Sequence, residues 1–238
     1  MRLGILFVVV ALLWAAPRPS LQTGATTGGV FSPGRVAVID RGLQRYIDEN
    51  KVAGIVALVL QDGQPVYEKA FGWADKEAGR KMTTDTLFRI ASQTKALTSV
   101  AAMQLIEEGK LATSTRVSSL IPTFAKTTVA VKDDKGEVTI VPARRPITVR
   151  DLLTHTAGIS YGTDPSVAKL YEAKGLGPAA GMGWYTADKD EPVCTTMERL
   201  GTLPFVAQPG EQWVYGYNTD ILGCLVEKAS GLPLDQYI

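Results

Sequence analysis

Apolar positions recur at helical spacing from Val36 to Asn50, which predicts an amphipathic helix. "GIVALVLQDG" follows, too short for a helix and closed by Asp62-Gly63, and predicts a buried strand and a tight turn. "QPVYEKAFGWAD" is its expected hairpin partner. "TLFRIASQTKALTSVAAMQLIEEGKL" holds a helix that stops near Gly109. Its body is apolar nearly all round, so it is expected to be buried. "TVAVKDDKGEVTIV" predicts a second hairpin around Asp133 to Gly136. "ITVRDLLTH" predicts a short helix capped by Thr148, and "TDILGCLVEKASG" one ending at Gly231. Leu234, Tyr237 and Ile238 then begin an i, i+3, i+4 pattern, so the chain is expected to stop inside a further helix.

At the other end, Arg2 precedes "LGILFVVVALLW" and Ala15-Ala16. This run is too short for a stable membrane span and predicts a secretory signal within residues 1–25, its cleavage point open. Residues 26–35 are expected to be a linker and 36–238 one domain. A hydrophobic share of 45%, a charged share of 21% and a net charge of +1 suit a globular protein and give no electrostatic case for nucleic acid. One histidine and two cysteines build no metal site of recognised spacing, and no phosphate-binding glycine loop is present, so no cofactor is implied. Export to a periplasmic or secreted location would let Cys194 and Cys224 pair. A domain of this size does not need the staple, so two separate buried thiols are the expectation.

Two serine motifs compete. Gly158-Ile159-Ser160-Tyr161-Gly162 matches the G-x-S-x-G elbow of α/β-hydrolases, with His155 five residues before the serine. That elbow needs a preceding strand and a histidine later in the chain. Here the preceding segment reads as a helix and no later histidine exists. Gly158 and Gly162 are expected to shape a loop, and His155 to hold it by hydrogen bonds. S-x-x-K occurs at Ser166–Lys169, in a polar setting where the lysine faces water, and at Ser92–Lys95. The second pair opens the apolar helix. Burial and the positive end of the helix dipole both disfavour an ammonium ion there. A lysine so placed, one turn from a serine, is expected to lose its proton and act as a base for a nucleophilic serine. The plainer alternative is that Ser92 caps the helix and Lys95 snorkels to water.

"LFRIASQTKALTSVAAMQLIEEGKL", "RPITVRDLLTHTAGISYG" and "QPGEQWVYGYNTDILGCLVEKASGLPLDQYI", in this order, resemble the serine β-lactamase-related family. That family takes in class C β-lactamases, D-Ala-D-Ala carboxypeptidases and family VIII esterases. The resemblance implies an α+β fold of the β-lactamase/transpeptidase type, an antiparallel sheet flanked by helices plus a mostly helical subdomain. It implies Ser92 as nucleophile, Lys95 as its partner and "HTAG" as a structural landmark. Aligned on "PGEQW", Tyr215 takes the place of the family's catalytic tyrosine and Tyr217 stands where an Asn is expected, a departure that favours the esterase branch. The alternative for Tyr215 is plain aromatic packing on Trp213. No K-T-G, S-D-N or H-x-G follows, so the C-terminal strands are expected to be missing from this chain and the segment to be inactive alone. The implied substrate is a small-molecule ester, a β-lactam or a D-amino-acid peptide. The rival is a penicillin- or peptidoglycan-peptide-binding protein of the same fold that does not hydrolyse. Oligomeric state is not legible.

Overall fold

A computed structural model describes residues 32–178, 186 and 189–238. The expected signal segment, residues 1–25, and most of the expected linker lie outside the described residues. No described helix is long and apolar enough to cross a membrane. The chain divides into two compact units, one ending at Phe88 and the other spanning Arg89–Ile238.

In the first unit, helix α1 spans Pro33–Asp48. It starts three residues before the expected position, because Pro33 at the first helical position has the required φ and needs no N–H partner. Strands β1 (Gly54–Gln61) and β2 (Gln64–Asp75) form the expected antiparallel hairpin, joined at Asp62-Gly63. Both turn residues have positive φ, 52° and 75°, as a two-residue hairpin turn demands. The two-residue strand β3 (Arg80–Lys81) adds to the far side of β2. Asp40 of α1 ties helix to sheet, accepting from the Tyr67 hydroxyl at 2.7 Å and the Lys69 ammonium at 2.6 Å. Burial of β1 is one-sided: Leu58 and Leu60 are each 54% exposed. A continuous apolar run identifies a strand but not which of its alternating faces is covered.

The second unit is built on α2 (Thr94–Glu107) and α6 (Asn218–Ser230), which pack together. Ala101, Ala102 and Leu105 of α2 join Ile221, Leu222, Leu225 and Val226 of α6 in the core. At the end of α2, Gly109 takes φ 72° while the N–H of Lys110 reaches back to Leu105. The expectation that α2 is buried all round fails on one side. Leu97, Val100 and Met103, spaced three residues apart, form an exposed stripe. Strands β4 (Thr128–Lys132) and β5 (Val138–Pro142) form the second hairpin. Helix α3 (Val149–Leu153) starts with a capping box between Thr148 and Asp151. Short helices α4 (Ala168–Ala173) and α5 (Val193–Leu200) follow, α6 closes on Gly231 at φ 77°, and α7 (Leu234–Tyr237) comes last.

Cys194 and Cys224 are bonded to each other, contrary to the expectation of separate thiols. Helix α5 packs on α6 and brings the two Cα atoms within 4.9 Å, inside the usual span of a disulfide.

Candidate active site

Ser92 sits in a 3-10 turn, Ala91–Gln93, that runs straight into α2. Ala91 holds φ 46°, a left-handed backbone that a residue with a Cβ adopts at a cost. Strain of this kind concentrates at functional sites. Lys95, in the first turn of α2, donates from Nζ to Ser92 Oγ at 3.1 Å. From 123 residues further along, Tyr215 donates its hydroxyl to the same oxygen at 2.8 Å. The three residues singled out from sequence therefore meet at one atom.

The segment before α6 carries Tyr215, and a lattice of backbone bonds fixes its path. The N–H of Gly210 donates to Thr156 and that of Val214 to His155, each at 2.7 Å. Gly216 passes so close to the neighbouring loop that a Cβ there would meet Ile159 O at 2.2 Å and Ser160 Cα at 2.6 Å. Glycine beside the phenol is what lets this segment lie against "HTAGIS". Tyr217, two residues on, is fully buried and accepts the Gly177 N–H at 3.2 Å.

Ser160 is buried, and its hydroxyl accepts from the Gly162 N–H at 3.1 Å. His155 turns Nδ1 to the Asn218 amide at 3.0 Å rather than to Ser160. Helix α3, not a strand, precedes the motif. The elbow match is thus a loop in which Gly158 (φ 81°) allows contact with Ala207, whose carbonyl oxygen would lie 2.0 Å from a Cβ. Ser166 is spent on Asp164, to which its hydroxyl donates at 2.6 Å.

Lys95 departs from its expected charge state. Burial pulls its pKa down, but hydrogen bonding to Tyr161 and Tyr215 and their charges outweigh it and hold the ammonium above its usual 10.5. Lys95 Nζ lies 4.9 Å from the Tyr215 ring centre and 5.8 Å from that of Tyr161. The hydrogen bond to Ser92 draws the Tyr215 phenol below its usual 10; partial burial opposes this and Lys95 adds to it. A charged lysine beside Tyr215 favours the ionised form of its phenol.

Tyr161 went unmarked in the sequence because no spacing ties it to Ser92. It stands edge-on to Tyr215 at 5.7 Å, and burial raises its phenol against the pull of Lys95. The exposed ring of Trp213 stacks on Tyr215 at 5.7 Å, so aromatic packing and contact with Ser92 coexist in one residue.

Known proteins carry similar chains. A family model described as Beta-lactamase matches residues 39–238. Esterase EstB of Burkholderia gladioli is 35% identical over 83% of this chain and 45% of its own length. A putative D-alanyl-D-alanine carboxypeptidase of Escherichia coli is 31% identical over 98% of this chain and 50% of its own. Among solved structures, EstCE1, a hydrolase with promiscuous acyltransferase activity, aligns with a TM-score of 0.68 at 30% identity, covering 86% of this chain and 49% of that one. The chain spans about half the length of the curated relatives it matches. Its structural neighbours have the β-lactamase/transpeptidase-like fold that the resemblance implied. With the family model matched over 200 consecutive residues, 39 to 238, the chain belongs to the beta-lactamase family.

Proposed function

We propose that the protein is a serine hydrolase that works through an acyl-enzyme on Ser92, with an ester as its principal substrate class. The observation that carries this is the convergence of the Tyr215 hydroxyl and the Lys95 ammonium on one serine oxygen, at 2.8 and 3.1 Å. Tyr215 in its phenolate form takes the Ser92 proton as Oγ attacks the substrate carbonyl carbon. Lys95 stays charged and stabilises the phenolate. The carbonyl electron pair moves onto its oxygen, where the backbone N–H of Ser92 and the start of α2 offer positive charge. The pair then returns, the carbon–oxygen bond to the alcohol breaks, and Tyr215 returns the proton to the departing oxygen. In the second half Tyr215 deprotonates water, water attacks the acyl carbon, and Ser92 leaves with the proton.

The ester assignment is supported by Tyr217 where the lactamase branch carries an Asn, and by esterases among the relatives. β-Lactams and D-amino-acid peptides are the competing acyl donors, and export is the proposed setting. The Cys194–Cys224 bond supports export, since such bonds persist in oxidising compartments. A panel of short-chain nitrophenyl esters against a chromogenic cephalosporin tests the proposal. Ester turnover that vanishes in Ser92→Ala is expected. Slow stoichiometric acylation by a penicillin with no turnover of either class would instead identify a binding protein.

A further inference from the structure

His155 is the only histidine in the chain, and three contacts fasten it beside Tyr215. Its backbone takes φ 55°, a left-handed conformation uncommon outside glycine, though histidine adopts it more readily than most residues. Its carbonyl accepts the Val214 N–H at 2.7 Å, one residue before Tyr215. Its ring stacks on the phenol, with centres 4.8 Å apart and planes 28° from parallel. Its Nδ1 lies 3.0 Å from Asn218 Nδ2.

Asn218 settles which ring nitrogen bears the proton. It is fully buried, and its Nδ2 also lies 3.1 Å from Val214 O and 3.3 Å from Ile159 O. With the amide turned over, its oxygen would face two carbonyl oxygens, so the NH2 group must point this way. The opposite atom, Oδ1, is left buried with no partner. Such an orphaned acceptor is costly and persists where the donor side is in demand. The NH2 has two N–H bonds for three acceptors; the one spent on Nδ1 needs a bare lone pair there, which puts the ring proton on Nε2.

We propose that His155 is a positioning residue for Tyr215: a neutral imidazole, fixed as the Nε2–H tautomer by Asn218, that holds the phenol against the Ser92 hydroxyl. This rests on Tyr215 being the proton carrier. The groups around the ring agree with a neutral state. Lys95 approaches from α2 as a cation, and Tyr215 lies on the ring face with Tyr161 beyond it. Asp151 of α3 is engaged by Arg145 and Thr148, and Asp220 of α6 by Thr186. Among the described residues, no carboxylate is hydrogen-bonded to the ring. Burial, and then the Lys95 charge, hold His155 below its usual 6.5. In the folded protein the ring therefore stays neutral until pH falls through its lowered value, and the stability this gives is present above 6.5 and lost as pH falls through that folded value.

The test begins on the unaltered protein labelled with ¹⁵N-histidine, whose long-range ¹H–¹⁵N spectrum has one ring to assign. An Nε2-protonated ring with a midpoint below 6.5 is expected; an Nδ1-protonated ring overturns the proposal. His155→Ala should lower kcat about 10–100-fold with KM within about threefold, the loss that a displaced reacting group brings. It should also move the Tyr215 phenol titration, read as the ultraviolet change missing in Tyr215→Phe. His155→Gln, which can still accept from Asn218, should recover part of both. Unchanged kcat and unchanged phenol titration in folded His155→Ala would also overturn the proposal. If Tyr215→Phe retains full activity, the catalytic proposal fails instead, while the tautomer and the phenol titration still decide the role of His155.

Discussion

Tyr215→Phe removes one oxygen and keeps a ring. The lost hydroxyl is the group 2.8 Å from Ser92 Oγ. The retained ring keeps its stacks on His155 and Trp213. Tyr215 is 39% exposed, so its hydroxyl contributes little to folding, less than about 1 kcal/mol. Loss of a general acid–base group costs about 10²–10⁴ in rate, or about 3–5 kcal/mol of transition-state stabilisation. Tyr217→Phe is the matched control two residues away. Its hydroxyl is buried and accepts from Gly177, so its removal leaves an N–H unsatisfied and should cost about 1–3 kcal/mol of stability. The rate should stay within about threefold. Ester kcat/KM and thermal melts on both variants of the full-length protein form the assay. Tyr215→Phe should lose rate without stability, and Tyr217→Phe the reverse. If Tyr217→Phe abolishes turnover while Tyr215→Phe leaves it intact, the phenol on Ser92 has been misassigned.

Lys95→Met should lower kcat/KM by about 10²–10⁴ and shift the rising limb of its pH profile upward, because the lost ammonium no longer favours the phenolate of Tyr215; an unmoved limb would count against a charged Lys95. Ser160→Ala should leave ester turnover within about twofold, since its hydroxyl serves only the Gly162 N–H, with a melt about 1 kcal/mol less stable. Cys194→Ala with Cys224→Ala opens a loop of separation 30 and should cost about 3–4 kcal/mol, read by denaturant titration with and without reductant. Asp151 accepts from both Arg145 nitrogens at 2.7 and 2.9 Å; burial raises its pKa, but these bonds and Thr148 outweigh it and hold it below 3.8. A lowered folded-state value means that its stabilisation is present above 3.8 and is lost as pH falls through that folded value. Asp151→Ala should therefore lose stability at neutral pH and flatten the acid limb of melting temperature against pH.

Features with a local cause were legible in the sequence. The Asp62-Gly63 turn, the Thr148 cap, the Gly231 stop and the serine–lysine spacing each depend on residues within a few positions of one another. Tyr215 was singled out over Tyr217 through the family resemblance, aligned on "PGEQW", and the structure sets its hydroxyl 2.8 Å from Ser92 Oγ. What escaped depends on meetings across long stretches of chain. Tyr161 reaches Lys95 only after the loop beyond α3 folds beside α2. Asn218 meets His155 across 63 residues. Burial of Lys95 was visible in an apolar helix, while the contribution of Tyr161, which opposes it together with Tyr215, was not. The disulfide needed the packing of α5 on α6, which no pattern in either helix announces.

Covalent capture tests the central claim most directly. The full-length protein, treated with a fluorophosphonate and digested, is mapped by mass spectrometry. One equivalent of adduct on the peptide containing Ser92 is predicted, abolished in Ser92→Ala and strongly slowed in Tyr215→Phe. An adduct on Ser160 or Ser166, or no adduct while ester turnover persists, would contradict Ser92 as the nucleophile.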